Sequence, residues 1–157
     1  MYEFNIQLAH GEDGEHFLDK FFSNKFVIYN VTMQQQRQGI DRIFKSKATG
    51  KMLKVEYKTD YIAHKTGNVF IETVSVDSND KKGWIYTSMA DYLIYYVVEY
   101  SLIYTIHFNT LRKLLPIWLK KYPVKKSPNK DYFTHGVIVP LTEFEKYSKA
   151  IILDGRR

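Results

Sequence analysis

The stretch Lys51-Met52-Leu53-Lys54-Val55-Glu56-Tyr57-Lys58 alternates between apolar and charged residues over most of its length. In an extended chain successive side chains point to opposite faces, so Leu53, Val55 and Tyr57 share one face while Lys54, Glu56 and Lys58 share the other. The spacing predicts a β-strand with one face in a core and, on the other, a carboxylate and an amine side by side. Upstream, Gly39-Ile40-Asp41-Arg42-Ile43-Phe44 is a second apolar run with an acid near its start. Between the two runs, Lys47-Ala48-Thr49-Gly50-Lys51 has the polar, glycine-containing character of a hairpin turn. Paired as antiparallel strands, the runs bring Asp41 to Glu56 and Lys58.

That grouping has a chemistry. Two carboxylates can hold a hard divalent cation, Mg²⁺ or Mn²⁺, whose oxygen shell is completed by water. Such a cation lowers the pKa of a bound water and stabilises charge on a phosphoryl group. A lysine beside it can orient the attacking water or offset charge that builds up on the phosphate. The pattern Asp41…Glu56-x-Lys58 on a hairpin resembles the PD-(D/E)XK nuclease superfamily. With Glu15 on an upstream helix, the order of helix carboxylate, hairpin aspartate and Glu-x-Lys is similar to that of archaeal Holliday-junction resolvases. One residue departs from the pattern: the proline that usually precedes the aspartate is Ile40 here.

The resemblance implies an α/β, restriction-endonuclease-like fold, a mixed central sheet flanked by helices. It implies a Mg²⁺- or Mn²⁺-dependent endonuclease acting on duplex or branched DNA. Asp41, Glu56 and the backbone carbonyl of Tyr57 would be the metal ligands, Lys58 would position the water, and Glu15 would add an outer acidic group. A homodimer would place two such sites on the two strands of one substrate.

The chain has 157 residues, enough for one domain, 1–157, with a sizeable core. Hydrophobic residues make up 45% and charged residues 25%, a globular rather than a disordered composition. A net charge of +6 suits a polyanionic partner. Without cysteine, disulfides and thiolate zinc sites are excluded. Met1 to Gln7 lacks the apolar core of a secretory signal, and no apolar run is long enough to span a bilayer, so a cytoplasmic location is expected.

Along the chain, residues 1–10 read as a short strand or arm. Asp13 then caps a helix whose Phe17, Leu18, Phe21 and Phe22 form an aromatic stripe. Residues 26–31 read as a strand or connection, and 33–39 as an amide-rich loop. In that loop Gln36 and Arg37, just ahead of Asp41, are candidate phosphate contacts. Glu72 sits inside the apolar strand 69–76, where a carboxylate is costly to bury unless it is paired. If that strand neighbours Val55–Lys58, Glu72 would stand beside Lys58. Residues 77–83 form a polar loop, in which Lys81 and Lys82, with Trp84, are candidate DNA contacts. A short helix capped by Thr87 or Ser88 follows.

Residues 92–98 and 102–108 then form a hairpin of central strands. Asn109 caps a helix reaching Lys121, with Leu111, Leu114, Leu115 and Trp118 buried and Pro116 as a kink or late start. The segment 120–130 reads as flexible and basic. A strand at 136–141, a Thr142/Glu145 capping box and an edge strand at 150–153 complete the chain. Two other classes fit the same residues: a non-catalytic nucleic-acid-binding module on the same fold, and a protein-interaction domain whose charge keeps it in solution.

Overall fold

The hairpin forms as its alternation requires. In the computed structural model, which describes residues 2–153 (the backbone alone for 2–10), Arg42 pairs with Val55 and Phe44 with Leu53 in antiparallel register. Gly50, at φ +72°, supplies the left-handed residue that closes the turn. The elements in chain order are α1 (Tyr2–Phe22), β1 (Phe26–Asn30), α2 (Met33–Arg37), β2 (Arg42–Ser46), β3 (Met52–Asp60), α3 (Ala63–Thr66), β4 (Asn68–Val76), β5 (Lys81–Lys82) and α4 (Trp84–Thr87). They continue with β6 (Tyr92–Val97), β7 (Leu102–His107), α5 (Phe108–Lys121), β8 (Val124–Pro128), β9 (Phe133–Pro140), α6 (Leu141–Glu145) and β10 (Lys149–Ile152).

The architecture is α/β, with a mixed central sheet flanked by helices. The strands form two sheets, in the orders β1-β2-β3-β6-β7-β10 and β5-β4-β9-β8. Among the described residues only β3 and β6 run parallel; every other pair there is antiparallel. Parallel neighbours cannot be joined by a tight turn and need a crossover. Here the crossover, residues 61–91, carries β4, β5 and α4. That connection lifts β4 out of the first sheet and into the second.

The Leu53–Tyr57 face of β3 packs under α1, where Leu18, Phe22, Phe44, Val55, Tyr57 and Ile103 cluster. The opposite face of the central sheet meets the second sheet and α5, through Leu93, Tyr95, Val97, Val69, Ile71, Val137, Val139 and Trp118. β6 is buried on both faces, as its unbroken apolar run predicts. Among the described residues no helix is long and apolar enough to cross a membrane.

Several local expectations are corrected. Residues 2–10 belong to α1, so Asp13 lies inside a helix rather than at its cap. The amide-rich segment is a short helix, α2, started by a Thr32/Gln35 capping box. Gly83, not Thr87 or Ser88, begins α4, and α5 starts two residues early, capped by His107, whose Nδ1 accepts from Asn109 N at 3.1 Å. Pro116 does not delay or end α5 and lies on its exposed side. The segment expected to be flexible includes β8, an edge strand with every residue exposed, and its lysines and proline suit an edge that must not recruit another chain. α6 begins at Pro140 without a side-chain cap, so the Thr142/Glu145 capping box does not form.

The early glycines masked the length of α1. They differ in what surrounds them. A Cβ on Gly14 would lie 2.8 Å from Thr59 Cβ on β3, whereas one on Gly11 would meet nothing. In an open helical position alanine is favoured over glycine by about 0.5–1 kcal/mol. Gly11→Ala is therefore expected to raise stability by about that amount, while Gly14→Ala lowers it by forcing α1 off β3. Urea denaturation of the two variants checks both signs; stabilisation by Gly14→Ala would overturn the packing given for α1.

Candidate active site

Just ahead of β2, Gly39, at φ +74°, turns the chain. Asp41 N still donates to Val55 O, at 2.8 Å. The next rung of the ladder is completed by a side chain: Tyr57 N donates to Asp41 Oδ2 at 2.7 Å. The carboxylate is thereby fixed at the open end of the hairpin. Burial is the largest influence on it and raises its pKa, against the lowering effects of the Tyr57 N–H, Lys58 and Arg42.

Glu56 points away from α1, into the space between the two sheets, and is only 4% exposed. Its Oε1 lies 3.2 Å from Lys58 Nζ. Burial pushes its pKa up, Lys58 opposes that, and Asp41 adds repulsion. The Ser88 hydroxyl stands beside the carboxylate and relieves a little of the penalty. Its one proton, however, is directed at Gly39 O, 2.9 Å away. Glu56 Oε2 is left buried with no hydrogen-bond partner.

Lys58 also faces Glu72, though not in the way the sequence predicts. β4 is not a neighbour of β3 in a sheet; it belongs to the second sheet. Glu72 faces Lys58 from that second sheet, and its pKa is raised by burial and lowered by Lys58. Trp84 N donates to Glu72 Oε1 at 3.3 Å, and the Trp84 ring lies 5.6 Å from Lys58 Nζ. Three half-buried or buried carboxylates, Asp41, Glu56 and Glu72, thus share one ammonium group.

Glu15 comes close enough to Asp41 to be repelled by it. Burial first, and Asp41 second, raise its pKa. It is held by Arg42, 3.5 Å away. Arg42 also binds Asp19, with Nε 3.1 Å from Oδ1, and Asp19 accepts from the Tyr57 hydroxyl at 2.9 Å. The Tyr57 side chain is therefore committed to the α1 face, while its backbone lies between Glu56 and Lys58. Gln36 and Arg37 are exposed on α2, and no described contact ties them to the carboxylates. Lys81, on β5, lies close enough to Glu72 to lower its pKa. Lys82 lies 5.8 Å from the centre of the Tyr86 ring.

Sequence reasoning missed Ser88, Asp19 and the part played by Arg42. Arg42 had a signal, a cation directly after the key aspartate inside an apolar run. Ser88 had none.

Among the described residues, no three His, Cys, Asp or Glu side chains form a metal cage on their own. Mg²⁺ seldom requires one; it is commonly held by one or two carboxylates, with water and substrate phosphate completing the shell. The donor set fits such an ion. Asp41 and Glu56 offer hard oxygens, and Glu56 Oε2 is a buried acceptor without a donor. No family model, curated protein or solved structure matches this chain.

The charge imbalance makes stability depend on pH. Burial raises the pKa values of Asp41, Glu56 and Glu72 above their ordinary values of about 4. Through the window above that value the folded chain holds more protons than the unfolded one, so stability falls as pH rises. Glu56→Gln is expected to raise the melting temperature at pH 8, by about 2–4 °C for each kcal/mol relieved, and to flatten the decline that sets in as pH rises above the ordinary carboxylate range. Calorimetry from that range up to pH 8 checks it; a wild-type profile as flat as the variant's would refute the imbalance.

Proposed function

We propose that this chain is a Mg²⁺- or Mn²⁺-dependent endonuclease of the PD-(D/E)XK type, with a restriction-endonuclease-like fold, hydrolysing phosphodiester bonds in DNA. The observation that carries the reading is the convergence of Asp41, Glu56 and Glu72 on Lys58, with Glu56 Oε2 buried and unpartnered. The placement of Asp41 just before the start of β2, of Glu-x-Lys within β3, and of a parallel strand beyond it also supports the reading.

Asp41 and Glu56 are the residues that would hold the ion, with the Tyr57 carbonyl as a backbone donor. When bound, the cation supplies Lewis-acid stabilisation of phosphate charge and a more acidic water. The protein's own part is positional and electrostatic. Tyr57 N–H aims the Asp41 carboxylate. Glu56 pairs with the Lys58 ammonium, Glu72 attracts it from farther off, and the Trp84 ring stands on one side of it. From there Lys58 donates to a non-bridging phosphate oxygen or orients the attacking water, favouring the state in which negative charge grows. Glu15 acts from the α1 side, on Asp41, through repulsion.

A second reading is a nucleic-acid-binding module without catalysis, favoured by the fully exposed basic strand β8. One experiment separates the two. Labelled duplex, single-stranded, flap and four-way-junction DNA is incubated with Mg²⁺, Mn²⁺ or EDTA. Cleavage that requires the ion is expected. Lys58→Ala should reduce its rate by at least about 10²-fold, and Asp41→Asn and Glu56→Gln by a similar factor. Glu72→Gln should cost about tenfold, the scale of a residue that orients another. Salt-sensitive binding with no ion-dependent cleavage of any substrate would establish the second reading instead.

A further inference from the structure

Beside Lys58 a groove of about 540 Å³ opens between the end of β3 and the second sheet. Its lining includes Lys58, Glu72 and Trp84 from the site, together with Tyr61, Phe70 and Lys125. The register of the second sheet explains how these side chains come together. Glu72 on β4 lies opposite Gly136 on β9, and Gly136 lies opposite Lys125 on β8. Residues paired across strands point to the same face, so Glu72 and Lys125 flank a position that has no side chain.

Phe70 fills that vacancy. It is two residues from Glu72 and so on the same face, and a Cβ on Gly136 would lie 2.6 Å from Phe70 Cε1. The Phe70 ring is laid against the Gly136 backbone, half-buried, with its remaining surface toward the groove. The other face of this sheet, carrying Val69, Ile71, Val137 and Val139, is in the core. Lys126 also borders the groove, its Nζ 5.6 Å from the centre of the Phe133 ring. One row of the groove therefore presents a cation, an aromatic face and then the acids around Lys58.

We propose that this groove receives an unpaired DNA strand, with a base against Phe70 and a phosphate on Lys125, so that the preferred substrate is single-stranded DNA or the unpaired arm of a flap. The inference rests on the nuclease reading for its catalytic part. A volume of 540 Å³ matches a ligand the size of a nucleotide or a small molecule. Aromatic platforms beside a basic edge are the usual means of binding single strands without reading sequence.

The test uses the full chain and fluorescence anisotropy in EDTA, with labelled (dT)12 and a 12-base-pair duplex as probes, followed by cleavage of flap and fully paired DNA with Mg²⁺. Wild type should bind (dT)12 at least about tenfold more tightly than the duplex. Phe70→Ala and Lys125→Glu should each weaken (dT)12 about tenfold, and Lys149→Glu, on the far edge strand β10, should not. Lys125 is fully on the surface, so its variant tests the groove even if Phe70→Ala does not fold. Equal affinity for duplex, or (dT)12 binding untouched by Lys125→Glu, would overturn the inference. Efficient cleavage of paired DNA that both variants retain would overturn it while leaving the nuclease reading intact. Selective (dT)12 binding lost in the variants, without cleavage of any DNA, would uphold the groove and refute the nuclease.

Discussion

A carboxylate between two sheets is the constraint on which this molecule turns. Glu56 is 4% exposed, and its partner Lys58 retains 37% of its side-chain surface. Withdrawing a charged group from water costs several kcal/mol even after relaxation, against a net folding stability of about 5–15 kcal/mol. One half-exposed ammonium, shared with Asp41 and Glu72, does not offset that. The desolvation follows from topology. Because β6 runs parallel to β3, the chain must cross over between them, and the crossover carries β4 and α4 onto the face where Glu56 points. The same connection that completes the central sheet closes a lid over its acid.

The site also depends on register. Slipping a strand by one residue sends each side chain to the opposite face. A shift in β3 would put Val55 and Tyr57 between the sheets and Glu56 beneath α1, among Leu18, Phe22 and Phe44. The register is held at both ends of the hairpin. Gly50 closes the turn, and at the other end Asp41 Oδ2 takes the Tyr57 N–H where a backbone carbonyl would otherwise serve. Asp41 therefore serves fold and site together: its hydrogen bond fixes β3, and the fixed β3 presents Glu56 and Lys58 to it.

The features legible in the sequence were those encoded by short-range periodicity. The alternation of 53–58, the apolar runs of β6 and β7, and the Leu111/Leu114/Leu115/Trp118 face of α5 each lie within a dozen residues of themselves. The division into two sheets was not legible, because β4 finds its partner β9 some sixty residues away and nothing local in either strand names the other. Glu72 was singled out for the right reason, an acid in an apolar run, but was placed next to Lys58 within one sheet rather than across from it. Gly11 and Gly14 hid a long helix, since the close approach to Thr59 that Gly14 permits is a tertiary fact. Basic composition at 120–130 concealed β8, and Lys81 and Lys82 concealed β5, because edge strands are built to look unlike strands.

Charge balance differs on the two sides of the hairpin. Toward α1, Glu15 and Asp19 share Arg42, and the Tyr57 hydroxyl adds a donor to Asp19. Toward the second sheet, Asp41, Glu56 and Glu72 have Lys58, with Lys81 contributing from the rim at Glu72. The deficit of positive charge therefore lies on the side where the groove opens, and two consequences are tied together. Buried oxygens with too few donors attract a cation, and the same oxygens repel a bare phosphodiester arriving along the groove. Positive charge between anionic substrate and acidic site weakens that repulsion. Occupancy by a cation and occupancy by nucleic acid should accordingly favour one another, with Lys58 paired to Glu56 and Arg42 acting on Asp41 as fixed positive charges beside the acids.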